Sequence, residues 1–289
     1  MNRRNFVKSL GGLGTAALIP DKALAEDPAK PKEFVGILVD TTRCIGCRSC
    51  EIACAEAHGF PDPDSDPNVF ERERSPSTTQ WSVVNRYETR KGEVYAKKQC
   101  MHCNQPAYAA ACLTKAMLKT EEGPVIWRED KCMGCRFCMI SCPFDVPKFE
   151  YESPVPKIQK CNLCWDRLKE GKEPACVEAC PAEAIKFGSR RDLIEMGRAQ
   201  IAKEPDTYIH QIYGENEAGG GSYLYLSGVP FGQLGFRTDL DNIPYPELSK
   251  DYLYAVPVIL TLWPAFLLAL SNATKKDDER RPYETQNER

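Results

Sequence analysis

The sequence predicts an α+β fold that consists of a duplicated cysteine-rich module with loop insertions and one C-terminal transmembrane helix. Three observations support this prediction. The spacing C-x2-C-x2-C-x3-C occurs twice, within residues 43–54 and 131–142. Short stretches with the alternation of a strand lead toward these runs. Near the C-terminus, the nineteen residues 252–270 carry no charge.

The composition limits the function classes. With 289 residues, 42% of them hydrophobic, the chain can bury one large core or two smaller ones. The net charge of −3 gives no polycationic surface and argues against nucleic acid as the main partner. There are 15 cysteines, an odd number, and most lie two or three residues apart. A disulfide framework would use an even number spread over loops, so the bunching favours metal ligation.

The N-terminus predicts export. Arg3 and Arg4 precede a short, weakly hydrophobic Gly/Ala stretch that ends in a small-x-small site at Ala25. Residues 1–25 resemble a twin-arginine signal with cleavage after Ala25, the alternative being a basic tail. This route carries folded proteins with their cofactors inserted. Thiolate clusters built in a reducing cytoplasm would then work in the periplasm.

Local signals predict the elements between the two ends of the chain. They are a strand (33–40), a loop insertion (55–80), a hairpin (81–100) with its turn at Lys91-Gly92, a strand-and-turn (123–132) and a helix (190–203). We expect the cysteine-rich domain to span 34–190. One half combines 34–60 with 155–190, and the other is 95–150. A C-terminal extension (191–250) follows, and it is expected to be mostly irregular after the helix.

The repeated run has the spacing found in two-cluster ferredoxins. Both copies read basic-Cys-x-Gly-Cys-Arg-x-Cys and end in a fourth cysteine. The first three thiolates are expected to surround one cluster, with Gly46 or Gly134 relieving the tight loop. The fourth cysteine lies three residues further along a short helix. It is therefore expected to bind a second cluster.

Two further motifs have wider spacing. One has the pattern C-x2-C-x11-C-x3-C, at Cys161, Cys164, Cys176 and Cys180. The other has Cys100, Cys103 and Cys112, with Tyr108 where the third cysteine would fall. The four motifs together use all 15 cysteines. Zinc is an alternative for single C-x2-C pairs, but zinc ribbons use two pairs and not triplets with a trailing cysteine.

The charge-free segment 252–270 predicts a membrane anchor. As a helix it would be about 28 Å long, close to the hydrocarbon thickness of a bilayer. Pro257 and Pro264 are tolerated in membrane helices when neighbouring groups compensate. Lys275 and Lys276 follow, which predicts a cytoplasmic tail over 271–289. The alternative is a helix buried in a globular core.

With these motifs, residues 34–190 resemble the dicluster-ferredoxin electron-transfer (beta) subunits of respiratory oxidoreductases. Within this group, the chain resembles in particular the hydrogenase-2-type iron–sulfur subunits, and it is also similar to formate dehydrogenase-N beta subunits. This narrower resemblance rests on the segment 212–235, the export signal and the single anchor. The resemblance implies duplicated ferredoxin-like modules, three 4Fe–4S clusters and one 3Fe–4S cluster. It also implies no catalytic residues in this chain.

The resemblance implies ligand sets that are shared between motifs. Three 4Fe–4S clusters would be held by Cys44, Cys47, Cys50 and Cys180; by Cys161, Cys164, Cys176 and Cys54; and by Cys132, Cys135, Cys138 and Cys112. The fourth cluster would be held by Cys100, Cys103 and Cys142, with Tyr108 at the open corner. Three thiolates favour 3Fe–4S. A 4Fe–4S cluster with an oxygen ligand from Tyr108 or water is the alternative.

The implied function is electron relay on the periplasmic side of the cytoplasmic membrane. The expected partners are a catalytic subunit, foremost a nickel–iron hydrogenase, and an integral membrane quinone-reactive or cytochrome subunit. Alternatives are the same role in a molybdopterin enzyme, such as formate dehydrogenase or a polysulfide- or DMSO-type reductase, and a periplasmic cytochrome c:menaquinone reductase complex. A disulfide-bound exported scaffold is the rival from another class.

Some other residues allow two interpretations. His102 lies inside a cysteine motif, where it would hydrogen-bond sulfur or simply pack. Arg48 and Arg136 follow cysteines, where their charge would raise a cluster's potential unless solvent screens it. His58 and His210 are isolated in the sequence.

Overall fold

The computed structural model of the protein describes residues 33–63 and 67–278. The predicted export signal (1–25) lies outside these residues, and so does the predicted cytoplasmic tail from residue 279 onward. Helices and strands are both present throughout the cysteine-rich part of the chain, so the prediction of a mixed helix-and-sheet structure is confirmed.

The regular elements are short except at the C-terminal end. The strands are β1 (Val35–Asp40), β2 (Val83–Thr89), β3 (Gly92–Lys98), β4 (Met117–Lys119), β5 (Val125–Trp127), β6 (Lys148–Phe149), β7 (Ile158–Gln159), β8 (Ile185–Ser189) and β9 (Tyr223–Leu226). The α-helices are α1 (Ser49–His58), α2 (Ala107–Ala110), α3 (Phe137–Ser141), α4 (Trp165–Lys169), α5 (Ala175–Glu178), α6 (Arg190–Lys203) and α7 (Tyr245–Asp278). Single 3-10 turns lie at Pro67–Phe70, Glu129–Lys131, Glu217–Gly219 and Phe231–Leu234.

A three-stranded sheet separates two parts of the core. Its central strand β1 pairs antiparallel with β8 and parallel with β9. Helix α6 covers one face, where Leu193 packs with Leu38 and Leu224. The opposite face carries Ile37 and Tyr223, which pack in the same buried cluster as several cysteines. Part of the cysteine-rich region therefore packs against one face of this sheet.

The predicted hairpin and helix are confirmed. Strands β2 and β3 pair antiparallel with Thr89 opposite Gly92. The turn residues are therefore Arg90 and Lys91, one position earlier than predicted. Helix α6 has the predicted bounds, and the Ser189 hydroxyl caps it by accepting a hydrogen bond of 3.2 Å from the Asp192 N–H.

The C-terminal extension (191–250) contains nearly all of the predicted helix α6, and the stretch after this helix is less irregular than predicted. That stretch includes β9, which forms an edge of the central sheet. All four residues of β9 are buried, so the run Tyr-Leu-Tyr-Leu lacks the polar alternation by which half-exposed strands are identified. The C-terminal extension therefore contributes strand β9 to the sheet that contains β1, the first strand of the cysteine-rich domain.

Helix α7 contains the predicted anchor. Its segment Tyr245–Thr274 is long and apolar enough to cross a membrane, and its most apolar window has no buried residue. No other helix of the described residues meets these criteria. The helix begins at Tyr245, seven residues before the predicted segment 252–270. The residues between Tyr245 and the predicted segment include polar ones, and they form the first turns of the same helix. The alternative of a helix buried in a globular core does not fit its exposure.

The two repeated cysteine loops have matching backbone conformations. Gly46 and Gly134 both have φ of +72°, and Arg48 and Arg136 have φ of +62° and +60°. A Cβ at Gly46 would lie 2.5 Å from the Tyr95 ring, whereas at Gly134 it would meet nothing within 4 Å. Both loops therefore have the left-handed backbone at this glycine. Only in the first loop would a side chain at the glycine clash with a neighbour.

We predict that Gly46→Ala destabilises the protein more than Gly134→Ala. The left-handed conformation should cost about 1–2 kcal/mol at either position. Overpacking against Tyr95 should add about 1–3 kcal/mol at position 46. Comparing the thermal unfolding of the two variants tests this, with Gly134→Ala as the matched control. Equal losses in both variants would contradict the prediction.

Candidate iron–sulfur centres

The 15 cysteines, all within the described residues, are free thiols. They fall into four neighbourhoods, each joining residues of two sequence motifs. We call these neighbourhoods group A (Cys44, Cys47, Cys50 and Cys180), group B (Cys54, Cys161, Cys164 and Cys176), group C (Cys100, Cys103 and Cys142, with Tyr108) and group D (Cys112, Cys132, Cys135 and Cys138). The absence of disulfides among them argues against a cross-linked scaffold.

Group A lines one cavity at the start of α1. Three of its thiols come from the first repeated loop, and Cys180 follows α5. Cys47 is exposed and Cys50 is buried. Burial raises the pKa of the Cys50 thiol, and neighbouring Cys176 and Cys44 raise it further. The group thus extends from the core to the surface.

Group D lines a second cavity in the same way. The second repeated loop supplies three thiols, and Cys112 follows α2. Burial raises the pKa of Cys138 to about 11, with contributions from Cys132, Cys112 and Cys135. Cys135 is exposed. Groups A and D therefore have the same construction, with one exposed thiol each.

Group B is buried throughout. Burial is the main cause that raises the pKa of Cys54, and the next thiols that raise it are Cys161, Cys176 and Cys164. Cys54 lies one helical turn after Cys50 on α1. Groups A and B are consequently adjacent, as expected when the fourth cysteine of a run turns toward a second site.

Group C contains the tyrosine of the incomplete motif. Tyr108 is 1% exposed, and its hydroxyl lies 3.4 Å from the Cys100 sulfur. Burial raises the pKa of the Tyr108 phenol well above its ordinary value, and Cys100, Cys103 and Cys142 raise it further. All three thiols are buried. The phenol is therefore a neutral group next to the three thiols.

The backbone places Tyr108 where the complete motif has a cysteine. Helix α2 begins after Pro106 and α5 after Pro174, both prolines having extended backbone. Tyr108 is the second residue of α2, and Cys176 is the second residue of α5. The alignment of the two motifs by spacing thus agrees with the local structure.

The groups lie in the order A, B, C, D. The pKa of Cys50 in group A is raised by Cys176 of group B, and that of Cys161 in group B is raised by Cys100 of group C. Groups C and D are joined through α3, which carries Cys138 and is followed by Cys142. The two buried groups therefore lie between the two that reach the surface.

The donor sets fit iron–sulfur clusters better than single ions. Among residues 33–63 and 67–278, no three His, Cys, Asp or Glu side chains are placed to hold one metal ion. A tetrahedral zinc site requires four ligands about 2.0–2.3 Å from one ion. In a cluster each thiolate binds a different iron, so the thiols surround a larger space. Groups A and D line cavities of this kind.

Two residues near the thiols had no clear signal in the sequence. The His58 Nε2 lies 3.6 Å from the Cys164 sulfur, although 106 positions separate the two residues. Lys97 is fully buried and lines the cavity of group A. Adjacent residues of a strand face opposite sides, so Lys97 and Lys98 cannot both face solvent. The sequence does not indicate which of the two lysines faces the interior.

The other two histidines, His102 and His210, lie in different environments. His102 is 0% exposed, and its Nδ1 accepts a hydrogen bond of 2.9 Å from the Val125 N–H. Burial lowers its pKa well below the ordinary value, and the nearby cations Lys160 and Lys119 lower it further. His102 is thus a neutral packed residue. His210 lines a surface cavity away from the cysteines.

Glu51 connects the first cysteine loop to the hairpin. Its carboxylate is 1% exposed and pairs with the Arg48 guanidinium at 2.9 Å and the Arg74 guanidinium at 2.7 Å. Gln80 donates a further hydrogen bond of 2.9 Å. Arg48, considered above for tuning a cluster, therefore already has a buried carboxylate partner. Arg136 instead lies over the rings of Phe149 and Tyr151.

These observations define the class of protein. The four thiol groups form a row through a mixed fold, which is the arrangement of an iron–sulfur electron-transfer protein. The family model described as the 4Fe–4S dicluster domain matches residues 93–190. The chain belongs to the dicluster-ferredoxin family of iron–sulfur electron-transfer subunits of respiratory oxidoreductases.

Particular relatives extend over most of the chain. A protein of Nitratidesulfovibrio vulgaris is 42% identical over 96% of this chain and 78% of its own length. The hydrogenase-2 operon protein HybA of Escherichia coli O157:H7 is 37% identical over 94% of this chain and 92% of its own length. The iron–sulfur subunit of the nitrate-inducible formate dehydrogenase of Escherichia coli K12 is 32% identical over 68% of each chain.

We predict that Glu51→Gln lowers the free energy of unfolding by about 3 kcal/mol or more, since removing one partner leaves buried cations uncompensated. Glu56→Gln is the matched control, because Glu56 lies exposed on the same helix. It should change stability by no more than about 0.5 kcal/mol. Denaturation of both variants under identical anaerobic conditions measures the difference. Similar stabilities would show that the Glu51 pairs contribute nothing.

Proposed function

We propose that this chain is the electron-transfer subunit of a membrane-bound, periplasm-facing respiratory oxidoreductase. It would relay electrons between a catalytic subunit and a membrane quinone-reactive partner. The observation that carries the proposal is the row of four thiol groups, buried in the middle and exposed at both ends. A relay requires this arrangement, because electrons must enter and leave at surfaces while the intermediate sites stay dry.

In this proposal each thiol group holds one cluster. Groups A, B and D would each hold 4Fe–4S through four thiolates, and group C would hold 3Fe–4S through three. Iron–sulfur clusters, when bound, supply one-electron transfer with potentials set by cluster type, net charge, hydrogen bonds and solvent exposure. The chain's own contribution is to fix the thiolates on short helices and tight loops and to exclude water from groups B and C.

Tyr108 would leave the fourth corner of group C without a thiolate. Its phenol is buried, neutral and beside Cys100. A neutral phenol is a poor substitute for a thiolate, which supports three-thiolate ligation. The alternative is 4Fe–4S with an oxygen ligand from Tyr108 or water. The two differ by one iron atom.

We infer a duplicated ferredoxin-like architecture from the construction of the groups. Residues 34–60 with 155–190 supply groups A and B, whereas residues 95–150 supply groups C and D. The matching left-handed loops and the matching proline-initiated helices support this inference. The two halves are interleaved, because the two segments of the first half lie before and after the second half in the sequence.

The two ends of the row are suited to protein partners. Next to exposed Cys47 in group A, Ile45 is 62% exposed. Next to exposed Cys135 in group D, Met133 is 65% exposed, and Ile140 on α3 is 82% exposed. Exposed apolar residues around a redox centre are typical of contact surfaces. Each end would therefore dock one partner.

The anchor would bring the second end toward the membrane. A cavity of about 860 Å³ is lined by α2, α3 and the beginning of α7, including Phe137 and Leu253. Groups C and D are therefore the part of the row that lies beside α7. The catalytic subunit would then dock at group A and the membrane partner at group D. The twin-arginine signal would place the domain in the periplasm.

A nickel–iron hydrogenase is the catalytic partner we propose first, because one relative is named for the hydrogenase-2 operon and matches nearly the whole chain. A molybdopterin enzyme is the second candidate, favoured by the formate dehydrogenase relative. A cytochrome c:menaquinone reductase complex is the third. The metal of the co-purifying large subunit, nickel or molybdenum, separates the first two, and a haem protein in their place favours the third.

We predict about 15 iron atoms per chain in the anaerobically purified complex, after subtraction of the partners' iron, with similar acid-labile sulfide. Tyr108→Cys should raise the iron content by about one atom and remove the paramagnetic signal of oxidised 3Fe–4S. Iron analysis and electron paramagnetic resonance measure both changes.

Tyr108→Phe is the matched control, because it removes the hydroxyl without adding a thiol. It should leave the three-thiolate cluster in place. Absence of the 3Fe–4S signal, with an unchanged cluster inventory in Tyr108→Cys, would overturn the assignment of group C. Absence of iron and sulfide altogether would overturn the proposed function.

We also predict that a chain ending at residue 244 leaves the membrane fraction, because it lacks α7. The thiol groups lie outside α7, so the truncated chain should keep its full iron content. Fractionation and iron analysis after co-expression with the catalytic partner, in cells that lack the membrane partner, measure both. Retention of the truncated chain in membranes from cells that lack the membrane partner would contradict the anchoring role.

A further inference from the structure

Lys97 is a cation in the centre of the cysteine-rich domain. It lies on β3 and is 2% exposed. Its ammonium donates a hydrogen bond of 2.9 Å to the Gln99 side-chain carbonyl and lies 5.3 Å from the centre of the Tyr223 ring. Neither partner carries a charge. The positive charge is therefore buried without neutralisation by these contacts.

Within the described ranges 33–63 and 67–278, no carboxylate forms an ion pair with this ammonium. The adjacent Lys98 is different, since its side chain is 19% exposed and it pairs with Glu73. Burying an unpaired ammonium is costly, so such groups are normally paired or deprotonated. Lys97 therefore requires a negative partner of another kind.

The surroundings of Lys97 are thiols of two groups. It lines the cavity of group A, and its strongest thiol neighbours are Cys176 and Cys161 of group B and Cys50 of group A. The Tyr223 ring that Lys97 faces also connects it to group B, because the Tyr223 hydroxyl lies 4.0 Å from the Cys176 sulfur. The ammonium thus lies between two groups whose ligating form is the thiolate.

We propose that Lys97 is the shared counter-cation of groups A and B and raises the reduction potentials of the clusters they hold. This inference rests on the proposed function. Reduction adds one electron from the electron donor of the complex and makes a thiolate-bound cluster more negative by one unit. Lys97 keeps its proton and is neither oxidised nor reduced. A fixed cation in dry surroundings stabilises the reduced form more than the oxidised form, because the interaction grows with the charge.

The effect should be restricted to one half of the row. Group C has other cations beside it: Lys160 lies 5.7 Å from the centre of the Tyr108 ring, and Lys119 donates to the His102 carbonyl at 3.0 Å. Lys97 has no group C or D thiol among its main electrostatic neighbours. Groups C and D thus provide an internal reference.

The test is Lys97→Met in the full-length chain within its complex, because methionine keeps much of the side-chain volume and removes the charge. We expect one-electron reduction of two clusters to become at least tenfold less favourable, a shift of about 59 mV to lower potential for each. The other two clusters, including the 3Fe–4S centre, should not move. Potentiometric titration followed by electron paramagnetic resonance measures all four.

Two control variants separate charge from packing. Lys97→Arg keeps the charge and should keep the potentials of both clusters near the wild-type values. Lys98→Met removes a neighbouring, partly exposed charge that Glu73 already neutralises, and it should leave all four potentials unchanged. A shift in Lys98→Met as large as in Lys97→Met would overturn the proposal, since any loss of charge would then suffice.

Cluster content provides the result if Lys97→Met does not assemble. Loss of two clusters in Lys97→Met and Lys97→Gln, with full content in Lys97→Arg, supports the counter-cation. Loss in Lys97→Arg as well, or full content with unchanged potentials in Lys97→Gln, overturns it. A wild-type complex without iron and sulfide would instead show that the proposed function has failed. Loaded wild-type protein with unshifted variants would reject only the role of Lys97.

Discussion

The constraint on which the structure depends is the burial of many thiol ligands close together. Groups B and C contain seven cysteines in the interior, without disulfides among them. Ligating thiolates would repel each other in a low-dielectric core unless metal and fixed cations neutralised them. The short helices, left-handed loops and small strand pairs all serve this arrangement. They replace the extended apolar packing that a domain of this length would otherwise use.

The charges around the thiols have distinct roles that follow from their partners. Arg48 is neutralised by Glu51, and Arg136 lies on aromatic rings, so neither is an uncompensated cation toward the thiols. Lys97 lacks such a partner among the described residues and faces two thiol groups. The position of a charge in the sequence, next to a cysteine, was therefore a weaker guide than its burial and its partners.

The family to which the chain belongs and the row of thiol groups both fit a role in electron transfer. An electron relay needs fixed sites, dry intermediate positions and accessible ends. Exposed Cys47 and Cys135 lie at the two ends, and exposed apolar residues lie near both in the sequence. Helix α7 begins beside the end that contains groups C and D. The relatives of the chain include both a hydrogenase-2 operon protein and an iron–sulfur subunit of a formate dehydrogenase.

The sequence by itself determined the cysteine motifs, the position of Tyr108, the hairpin, the bounds of α6 and the apolar C-terminal segment. These features depend on spacing and periodicity, which are local properties of the chain. Only the tertiary structure decided that β9 completes the sheet, that Glu51 binds Arg74, that His58 lies beside Cys164 and that Lys97, not Lys98, faces inward. Each of these depends on contacts between residues far apart in the sequence or on which face of a strand is covered. Spacing alone does not contain that information.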